Sequence, residues 1–146
     1  MKLMVVAHPD DETIFGGYML EQSVDWTVLC ITNGYKPHRK YEFQEAMKIA
    51  KAKGVIWNYL DKLNVPLDTD IEIALSSFIH NGGFTQFVSH GEDGEYRNMH
   101  HKQIHQWMTN IVGSSLETFD LSKMKVTDMA QAYLSQIELY KWLILL

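Results

Sequence analysis

The sequence predicts an α/β fold in which a mostly parallel β-sheet is covered by helices on both faces. Two observations lead to this prediction. Four short apolar segments alternate with segments in which apolar residues recur at helical spacing, and this alternation is typical of a parallel sheet. Polar clusters also follow three of the apolar segments directly, as expected where a site lies at the carboxyl ends of parallel strands.

The first predicted strand is Leu3–Ala7, which is apolar throughout and ends at a His-Pro-Asp-Asp turn. A short, continuous apolar run suits a strand that is buried on both faces. Thr13–Gln22 follows as the first predicted helix. Trp26–Thr32 is the second predicted strand, and an Asn-Gly pair ends it.

The middle of the chain repeats this order. Glu42–Lys53 is predicted to be a helix because its apolar residues share one stripe, and Gly54 is expected to close it. Val55–Leu60 is the third predicted strand. Thr69–Ile79 is the next predicted helix, and an Asn-Gly-Gly run ends it.

The last part of the chain begins with a fourth predicted strand, Phe84–Val88, and a helix at Met99–Val112. Beyond this helix the pattern weakens, although Lys125–Leu139 is predicted to be helical and Lys141–Leu146 forms an apolar tail. We find no repeat, linker or low-complexity segment. Residues 1–146 are therefore expected to form one domain.

Composition and charge exclude several classes of protein. The chain has 146 residues, of which 46% are hydrophobic and 21% charged, as in ordinary globular domains. The net charge of −5 argues against a dedicated nucleic-acid-binding protein. No apolar run approaches the ~20 residues of a membrane span, and the single cysteine, Cys30, cannot form an internal disulfide. We expect a soluble, cytoplasmic protein.

Three polar clusters are expected to meet at one edge of the sheet. They follow the first, second and fourth predicted strands, at His8–Glu12, Asn33–Arg39 and His90–His101. The carboxyl ends of parallel strands lie along the same edge. Clusters that are far apart in the sequence should therefore converge there.

The first cluster carries side chains that bind metal ions. His8, Asp10, Asp11 and Glu12 crowd one strand-to-helix turn, and imidazole and carboxylate groups are ligands for zinc. Two adjacent carboxylates can also divide the work, so that one binds the metal and the other acts as a base. The alternative is a simple turn in which Asp10 or Asp11 caps the following helix.

The last cluster offers a further metal ligand. His101 and His105 are four residues apart and would share one face of a helix. This spacing is also common on solvated faces, which is the favoured interpretation for His105. His101 is the stronger candidate because the first cluster faces the same edge of the sheet. Three protein ligands with an open position for water are typical of catalytic zinc.

Together these clusters resemble the LmbE-like, PIG-L family of N-acetylglucosaminyl deacetylases. The family motif A-H-P-D-D-E with a following Gly-Gly pair is present at 7–12 and 16–17, and T-[DN]-G is present at 32–34. R-x-x-E-x-x-x-A is matched at 39, 42 and 46, and G-E-Y-G-H-x-x-H-R is matched in part by 94–102. The resemblance covers about residues 2–105 and, more weakly, 132–136.

The resemblance implies a Rossmann-like three-layer sandwich with one catalytic metal site. It implies that His8, Asp11 and His101 bind a divalent metal ion, with Zn²⁺ expected and other divalent ions possible. It further implies that Asp10 is the general base that takes a proton from the attacking water.

The resemblance also implies roles on the substrate side of the site. Tyr96 matches a tyrosine that helps to polarise the substrate carbonyl, and Arg39 matches an arginine that binds sugar hydroxyls. The family often has a substrate-binding Asp in the loop after the third strand. Asn64 is the residue that an ungapped comparison places there, although Asp61 and Asp68 are close.

The chain departs from the family pattern at Asn98, which stands where the family has the first His of H-x-x-H. An Asn side chain can donate a hydrogen bond but cannot titrate near neutral pH. Three outcomes are open: His100 supplies the proton for the leaving amine, Asp10 acts first as base and then as acid, or the enzyme is slow. The domain is also shorter at its C-terminus than is usual in the family, and another subunit could complete the substrate wall.

The predicted function is the zinc-dependent hydrolysis of an N-acetyl group on an amino sugar of the N-acetylglucosamine type, with release of acetate. The alternatives are a zinc amidase that acts on another acylated amine, and a sugar-binding relative with weak or no catalysis. The expected partner is a small-molecule substrate. We expect no nucleic acid and no membrane span, and a homo-oligomer is possible.

Overall fold

The computed structural model describes residues 1–133 of the chain. A five-stranded sheet with the order β3-β2-β1-β4-β5 lies at its centre. The strands are β1 (Lys2–Val6), β2 (Trp26–Thr32), β3 (Lys53–Tyr59), β4 (Gln86–Ser89) and β5 (Leu116–Thr118). The predicted α/β class is confirmed, and every pairing in this sheet is parallel, where the sequence predicted a mostly parallel sheet.

Helices connect the strands and cover the sheet. They are α1 (Asp11–Ile14), α2 (Gly17–Leu20), α3 (Pro37–Ala50), α4 (Asp70–Gly82), α5 (Gly94–Arg97) and α6 (Met99–Val112). The α5 helix is a single irregular turn, because Glu95 within it has a φ of 63°. Within the described residues, no helix is both long and apolar enough to cross a membrane.

The core has two halves, one on each face of the sheet. Met4 of the central strand β1 packs in one half together with Phe43 of α3. The next residue, Val5, packs in the other half together with Leu75 of α4. Since successive side chains of a strand point to opposite faces, a strand buried on both sides must be apolar throughout. This is why polar and apolar residues do not alternate along β1. Packing on both faces of the sheet produces the predicted three layers.

The predicted helix Thr13–Gln22 is wrong as a continuous element. The structure has two single-turn helices, α1 and α2, with Gly16 between them. A Cβ atom at Gly16 would lie 2.7 Å from the Met4 side chain and 2.9 Å from the carbonyl oxygen of Glu12. The chain therefore packs too closely on β1 at this point for any residue other than glycine.

The predicted helix Glu42–Lys53 is also displaced. It begins earlier, at Pro37, which is favoured in the first turn because proline lacks the N–H that would have no partner there. It ends at Ala50, and the next residue, Lys51, has a left-handed φ of 57°. Gly54 therefore does not close the helix but lies within β3.

The end of the described chain differs most from the prediction. Strand β5 was not predicted, because three residues at a sheet edge are too few for a recognisable pattern. The predicted helix Lys125–Leu139 is represented only by a 3₁₀ segment at Asp128–Ala132, and positions 134–139 lie outside the described residues. The predicted tail Lys141–Leu146 lies outside them as well. The other predicted elements overlap the observed ones.

Candidate metal centre

The loops that follow four strands are tied together at the carboxyl edge of the sheet. The Thr32 hydroxyl at the end of β2 donates to the carbonyl of Ala7 after β1 at 2.7 Å. The N–H of Ala7 donates to Nε2 of His90 after β4 at 3.0 Å. The Asn33 side chain donates to Asp61 after β3 at 3.3 Å. These bonds bring the predicted polar clusters to one place, as the strand order requires.

The three predicted metal ligands lie within contact of one another. Oδ2 of Asp11 is 3.2 Å from Nδ1 of His8 and 3.1 Å from Nε2 of His101. Donor atoms that each lie about 2.0–2.1 Å from a tetrahedral zinc ion are about 3.3 Å apart. The three side chains thus form a group with the spacing of a metal site, assembled from two segments that are distant in the sequence.

The ring orientation of His101 is determined by Glu95. Oε1 of Glu95 accepts from Nδ1 of His101 at 2.9 Å and from Nδ1 of His90 at 2.5 Å. With Nδ1 directed to Glu95, Nε2 is the ring nitrogen of His101 that could offer a lone pair to a metal ion. That Nε2 atom is buried and has no hydrogen-bond partner within residues 1–133, although Asp11 lies beside it. A cation between the two groups would satisfy both, and this orphaned nitrogen is the observation that fits a metal to the site.

His90 completes this arrangement as a neutral ring. Its Nε2 accepts from the N–H of Ala7, so that its proton must be on Nδ1, where it faces Glu95. Burial, followed by the charge of His101, lowers the pKa of His90 to about 4. Burial by itself would raise the pKa of Glu95. Hydrogen bonds from His101 and His90 outweigh this effect and lower the pKa to about 2. Glu95 is therefore a carboxylate that accepts from two histidines.

A second pair of side chains orients His8. Nε2 of His8 lies 2.9 Å from Nδ1 of His100 and 3.5 Å from Oδ1 of Asp61. Nε2 of His100 donates to the carbonyl of Val65 at 2.7 Å, so Nδ1 of His100 accepts the proton of His8. The other ring nitrogen of His8, Nδ1, lies beside Asp11 and is the atom that could offer a lone pair to a metal ion once its proton is displaced. Metal-binding histidines commonly have such a partner on the second nitrogen.

In the metal-free protein, protons balance the charge of this cluster. Burial by itself would lower the pKa of His8. Asp11 and Asp61 outweigh this effect and raise the pKa to about 10. Burial would likewise lower the pKa of His101, but the effect of Asp11 is larger and raises that pKa to about 9. Burial raises the pKa of Asp11, but the two histidines outweigh it and hold that pKa well below its usual value. The site thus attracts positive charge strongly.

Asp10, the predicted base, lies next to this group in an unusual backbone conformation. Its φ is 93°, in the left-handed region. Its Oδ2 lies 3.6 Å from Nη2 of Arg39. Burial, and then the carboxylates of Asp11 and Glu12, raise its pKa well above the usual value. A carboxyl group that holds its proton more firmly than usual is suited to proton transfer near neutral pH.

Tyr96 and Asn98 lie on the solvent side of the centre. The Tyr96 ring contacts the His101 ring edge-on, with centroids 5.4 Å apart. Burial, and then the nearby Asp11 and Asp10, raise the pKa of Tyr96, so its hydroxyl remains a hydrogen-bond donor. Oδ1 of Asn98 accepts from the N–H of His100 at 2.9 Å and of His101 at 3.2 Å, and Asn98 is therefore the N-cap of α6.

Arg39 is bound to the chain itself. Its Nη2 donates to the carbonyl of Pro9 at 2.6 Å, and its Nη1 donates to Oε1 of Glu42 at 3.1 Å. Together with its approach to Asp10, these bonds brace the turn that carries Asp10, the predicted base. A sugar hydroxyl would have to share the guanidinium with these partners.

An open cavity of about 480 Å³ lies beside His8. Its lining includes residues from the loop after β3 and from the segment before α6, among them Asp61, Asn64, Tyr96, Asn98 and His100. Asn64 lies on the exposed rim with a φ of 61°, whereas Asp61 reaches inward to His8. Two of the three candidates from the loop after β3, Asn64 and Asp61, thus face the same space, whereas Asp68 lines a different cavity.

Sequence reasoning missed the contributions of Glu95 and Asp61. Glu95 was part of a matched motif without an assigned role, and Asp61 was set aside in favour of Asn64. A general rule could have found Glu95, because a metal-binding histidine usually donates its second N–H to a carboxylate or carbonyl. Nδ1 of the half-buried His105 lies 2.9 Å from the carbonyl of His90, outside the group formed by His8, Asp11 and His101.

Comparison with known proteins agrees with this geometry. The sequence profile of the PIG-L family, described as GlcNAc-PI de-N-acetylase, matches residues 3–112. The uncharacterized protein L374 of Acanthamoeba polyphaga mimivirus is 31% identical over 137 residues, a match that spans 81% of this chain and 60% of the viral protein. The chain thus spans less than two thirds of this relative.

Two solved structures share the fold at low sequence identity. GalB, the 4-carboxy-2-hydroxymuconate hydratase from Pseudomonas putida KT2440, has a TM-score of 0.75 and 17% identity over 99% of this chain and 83% of its own. N,N'-diacetylchitobiose deacetylase from Pyrococcus horikoshii has a TM-score of 0.68 and 16% identity over 96% of this chain and 69% of its own. The fold agrees with these structures, the profile covers most of the chain, and the chain belongs to the PIG-L family.

Proposed function

We propose that this protein is a metal-dependent hydrolase that removes an N-acetyl group from an amino sugar of the N-acetylglucosamine type. The observation that carries the proposal is the group formed by His8, Asp11 and His101, with the buried carboxyl of Asp10 beside it. Two imidazoles and one carboxylate are a common donor set for catalytic zinc. Zn²⁺ is therefore the proposed metal, and other divalent ions could occupy the same donors.

The proposed reaction divides its work between the metal and the protein. Bound zinc would polarise the amide carbonyl and make water acidic enough to react near neutral pH. Asp10 takes the proton of the attacking water. The hydroxyl of Tyr96 donates a hydrogen bond to the substrate oxygen as negative charge develops on it. Arg39 holds the Asp10 turn in place through Pro9.

The leaving amine needs a proton, and the contacts of the neighbouring side chains favour Asp10 as its source. Asn98 cannot titrate, and its carbonyl oxygen is occupied at the start of α6. Both ring nitrogens of His100 are engaged, one with His8 and one with Val65. Asp10 already holds the proton taken from water and can return it to the nitrogen. Acetate and a free amino sugar are the products.

A second candidate function is sugar binding with weak or no catalysis. Asn98 favours it, because the residue that titrates in relatives is replaced here by a helix cap. A zinc amidase that acts on another acylated amine is a further alternative, because the metal group does not specify the amine. The substrate cavity beside His8 is open enough for either.

The decisive experiment is an assay of the zinc-loaded protein. N-acetylglucosamine glycosides and unrelated N-acetylated amines are incubated with the enzyme, freed amines are detected with fluorescamine, and acetate is measured by NMR. Equal amounts of amine and acetate from the glycosides, absent with Asp10→Asn, support the proposal. Hydrolysis of the unrelated amines alone identifies another amidase. Ligand binding without either product identifies the binding protein.

A further inference from the structure

Glu12 is a buried carboxylate to which the proposed mechanism gives no task. The side chain is fully buried, and three donors surround it. Its Oε1 accepts from the N–H of Asp10 at 3.0 Å. Its Oε2 accepts from the hydroxyls of Thr13 at 2.6 Å and Tyr133 at 2.8 Å. A carboxylate with this many bonds has one defined position.

The bond to Asp10 lies at a point of backbone strain. Asp10 has a φ of 93°, which residues other than glycine seldom adopt. Such a conformation persists only where the surroundings hold it. The carbonyl of Asp10 accepts from the N–H groups of Thr13 at 3.0 Å and Ile14 at 2.9 Å, while Glu12 holds its N–H. The backbone that aims the Asp10 carboxyl is thus held on both sides.

Tyr133 reaches this turn from the other end of the described chain. Its side chain is fully buried in the same half of the core as Met4 and Phe43. It follows the 3₁₀ segment Asp128–Ala132 and lies beyond the residues that match the family profile. Its hydroxyl links that distant segment to the carboxylate of Glu12.

We propose that Glu12 and Tyr133 are positioning residues for Asp10. The Tyr133 hydroxyl fixes the Glu12 carboxylate, which fixes the Asp10 N–H and with it the left-handed turn. The effect on catalysis rests on the proposed role of Asp10 as base, whereas the effect on the turn does not. The carboxylate of Glu12 accepts from Asp10, Thr13 and Tyr133, so in this proposal the pair orients the base and does not hold the metal.

The test compares two buried tyrosines. Tyr133→Phe removes the hydroxyl that holds Glu12. Tyr18→Phe is the matched control, because Tyr18 is also buried and its hydroxyl accepts from the N–H of Asp120 at 3.0 Å, away from the base. We expect Tyr133→Phe to lower kcat about tenfold, the effect of one buried hydrogen bond. KM and the zinc dissociation constant should stay within about twofold, and Tyr18→Phe should leave kcat unchanged.

A second measurement needs no activity. Amide hydrogen exchange of Asp10, measured by NMR relative to the amide of Val5 in β1, should accelerate about tenfold or more in Tyr133→Phe and in Glu12→Gln, but not in Tyr18→Phe. Unchanged exchange overturns the proposal. Faster exchange with unchanged kcat also overturns it, because the turn would then not govern the base. If the wild-type protein hydrolyses nothing, the proposed function fails, and the exchange rates alone decide whether Tyr133 holds the turn.

Discussion

Glu95 accepts a hydrogen bond from Nδ1 of His101 at 2.9 Å, which directs the lone pair of the opposite ring nitrogen toward Asp11. Because Oε1 of Glu95 also accepts from His90, the carboxylate is held from a second direction. In the proposed metal site, the orientation of His101 thus depends on a residue that need not touch the metal.

Glu95→Gln should weaken zinc binding about 10- to 100-fold, the usual effect of removing such a partner. The amide is uncharged and has an NH₂ group in place of one carboxylate oxygen, so it is a weaker acceptor for the two histidines. The His101 ring therefore loses its fixed orientation. Competition with a zinc-binding dye measures the affinity. Glu92→Gln, in the same loop but exposed, is the matched control and should bind zinc normally. Equal affinities in the two variants would contradict the role of Glu95.

Asp11→Ala should lose metal and activity together. Asp11 is the ligand that lies within 3.2 Å of both histidines, and its removal leaves two imidazoles whose positive charges are no longer compensated. We expect zinc affinity to fall more than about 100-fold, beyond the effect of an outer partner. Metal analysis after gel filtration tests this. Retention of one zinc per chain would show that the metal lies elsewhere.

Asp10→Asn should separate catalysis from metal binding. The amide has the shape of the carboxyl group but cannot accept a proton, and general-base catalysis contributes about 10²- to 10⁴-fold. We expect kcat to fall by that factor while the zinc content remains one per chain. Normal turnover in this variant would assign the base to another residue.

His100→Asn distinguishes orientation of His8 from proton donation. If His100 orients His8 through their 2.9 Å contact, zinc affinity falls about tenfold and kcat at saturating zinc changes little. If His100 were the acid, kcat would fall and zinc affinity would not. We expect the first result. His80→Asn, an exposed histidine on α4 whose bonds remain within that helix, is the control and should change neither quantity.

Zinc affinity should rise with pH. Zinc must displace protons from His8 and His101, whose pKa values of about 10 and about 9 lie above the ordinary value because Asp11 outweighs the effect of burial. Each competing proton lowers apparent affinity about tenfold per pH unit below its pKa, so affinity should increase about 10- to 100-fold per unit between roughly pH 6.5 and 8. Isothermal titration at several pH values measures the slope. A flat profile would contradict these pKa shifts.

The same shifts set the stability of the metal-free protein. Because the pKa values of His8 and His101 are raised on folding, their contribution to the free energy of unfolding is complete below about pH 6.5 and is lost as the pH rises through about 9 to 10. The Tm without metal should therefore decrease over that range. His8→Asn combined with His101→Asn should flatten the decrease, which thermal unfolding followed by circular dichroism can measure.

The fold does not select the reaction by itself. A hydratase and a deacetylase both share it with this chain, so the proposed hydrolysis depends on the side chains at the carboxyl edge. Glu12 and Glu95 matter to the proposed site as much as the proposed ligands do, since their hydrogen bonds go to Asp10 and His101.

Much of this edge follows from local sequence. A strand buried on both faces must be apolar along its whole length, and parallel strands end at one edge, so the strand pattern predicted that the clusters at His8–Glu12 and His90–His101 would meet. The resemblance to the family then singled out His8, Asp11 and His101 as the expected metal ligands. The break at Gly16 was not predictable in this way, because it results from close contact with Met4, which lies in another element.

The chemical state of the site depends on folding. Whether His101 can bind a metal is decided by which of its nitrogens carries the proton, and that depends on Glu95, which reaches it through an irregular turn. Nε2 of His100 is engaged by the carbonyl of Val65, and we propose that Tyr133 holds the conformation of Asp10 through Glu12. Hydrogen-bond partners of this kind come from distant segments of the chain. Sequence patterns do not reveal such pairs, because a single contact between two segments produces no periodic pattern in either of them. Residue types therefore identify the donors, and only the packed chain assigns each donor its proton and its direction.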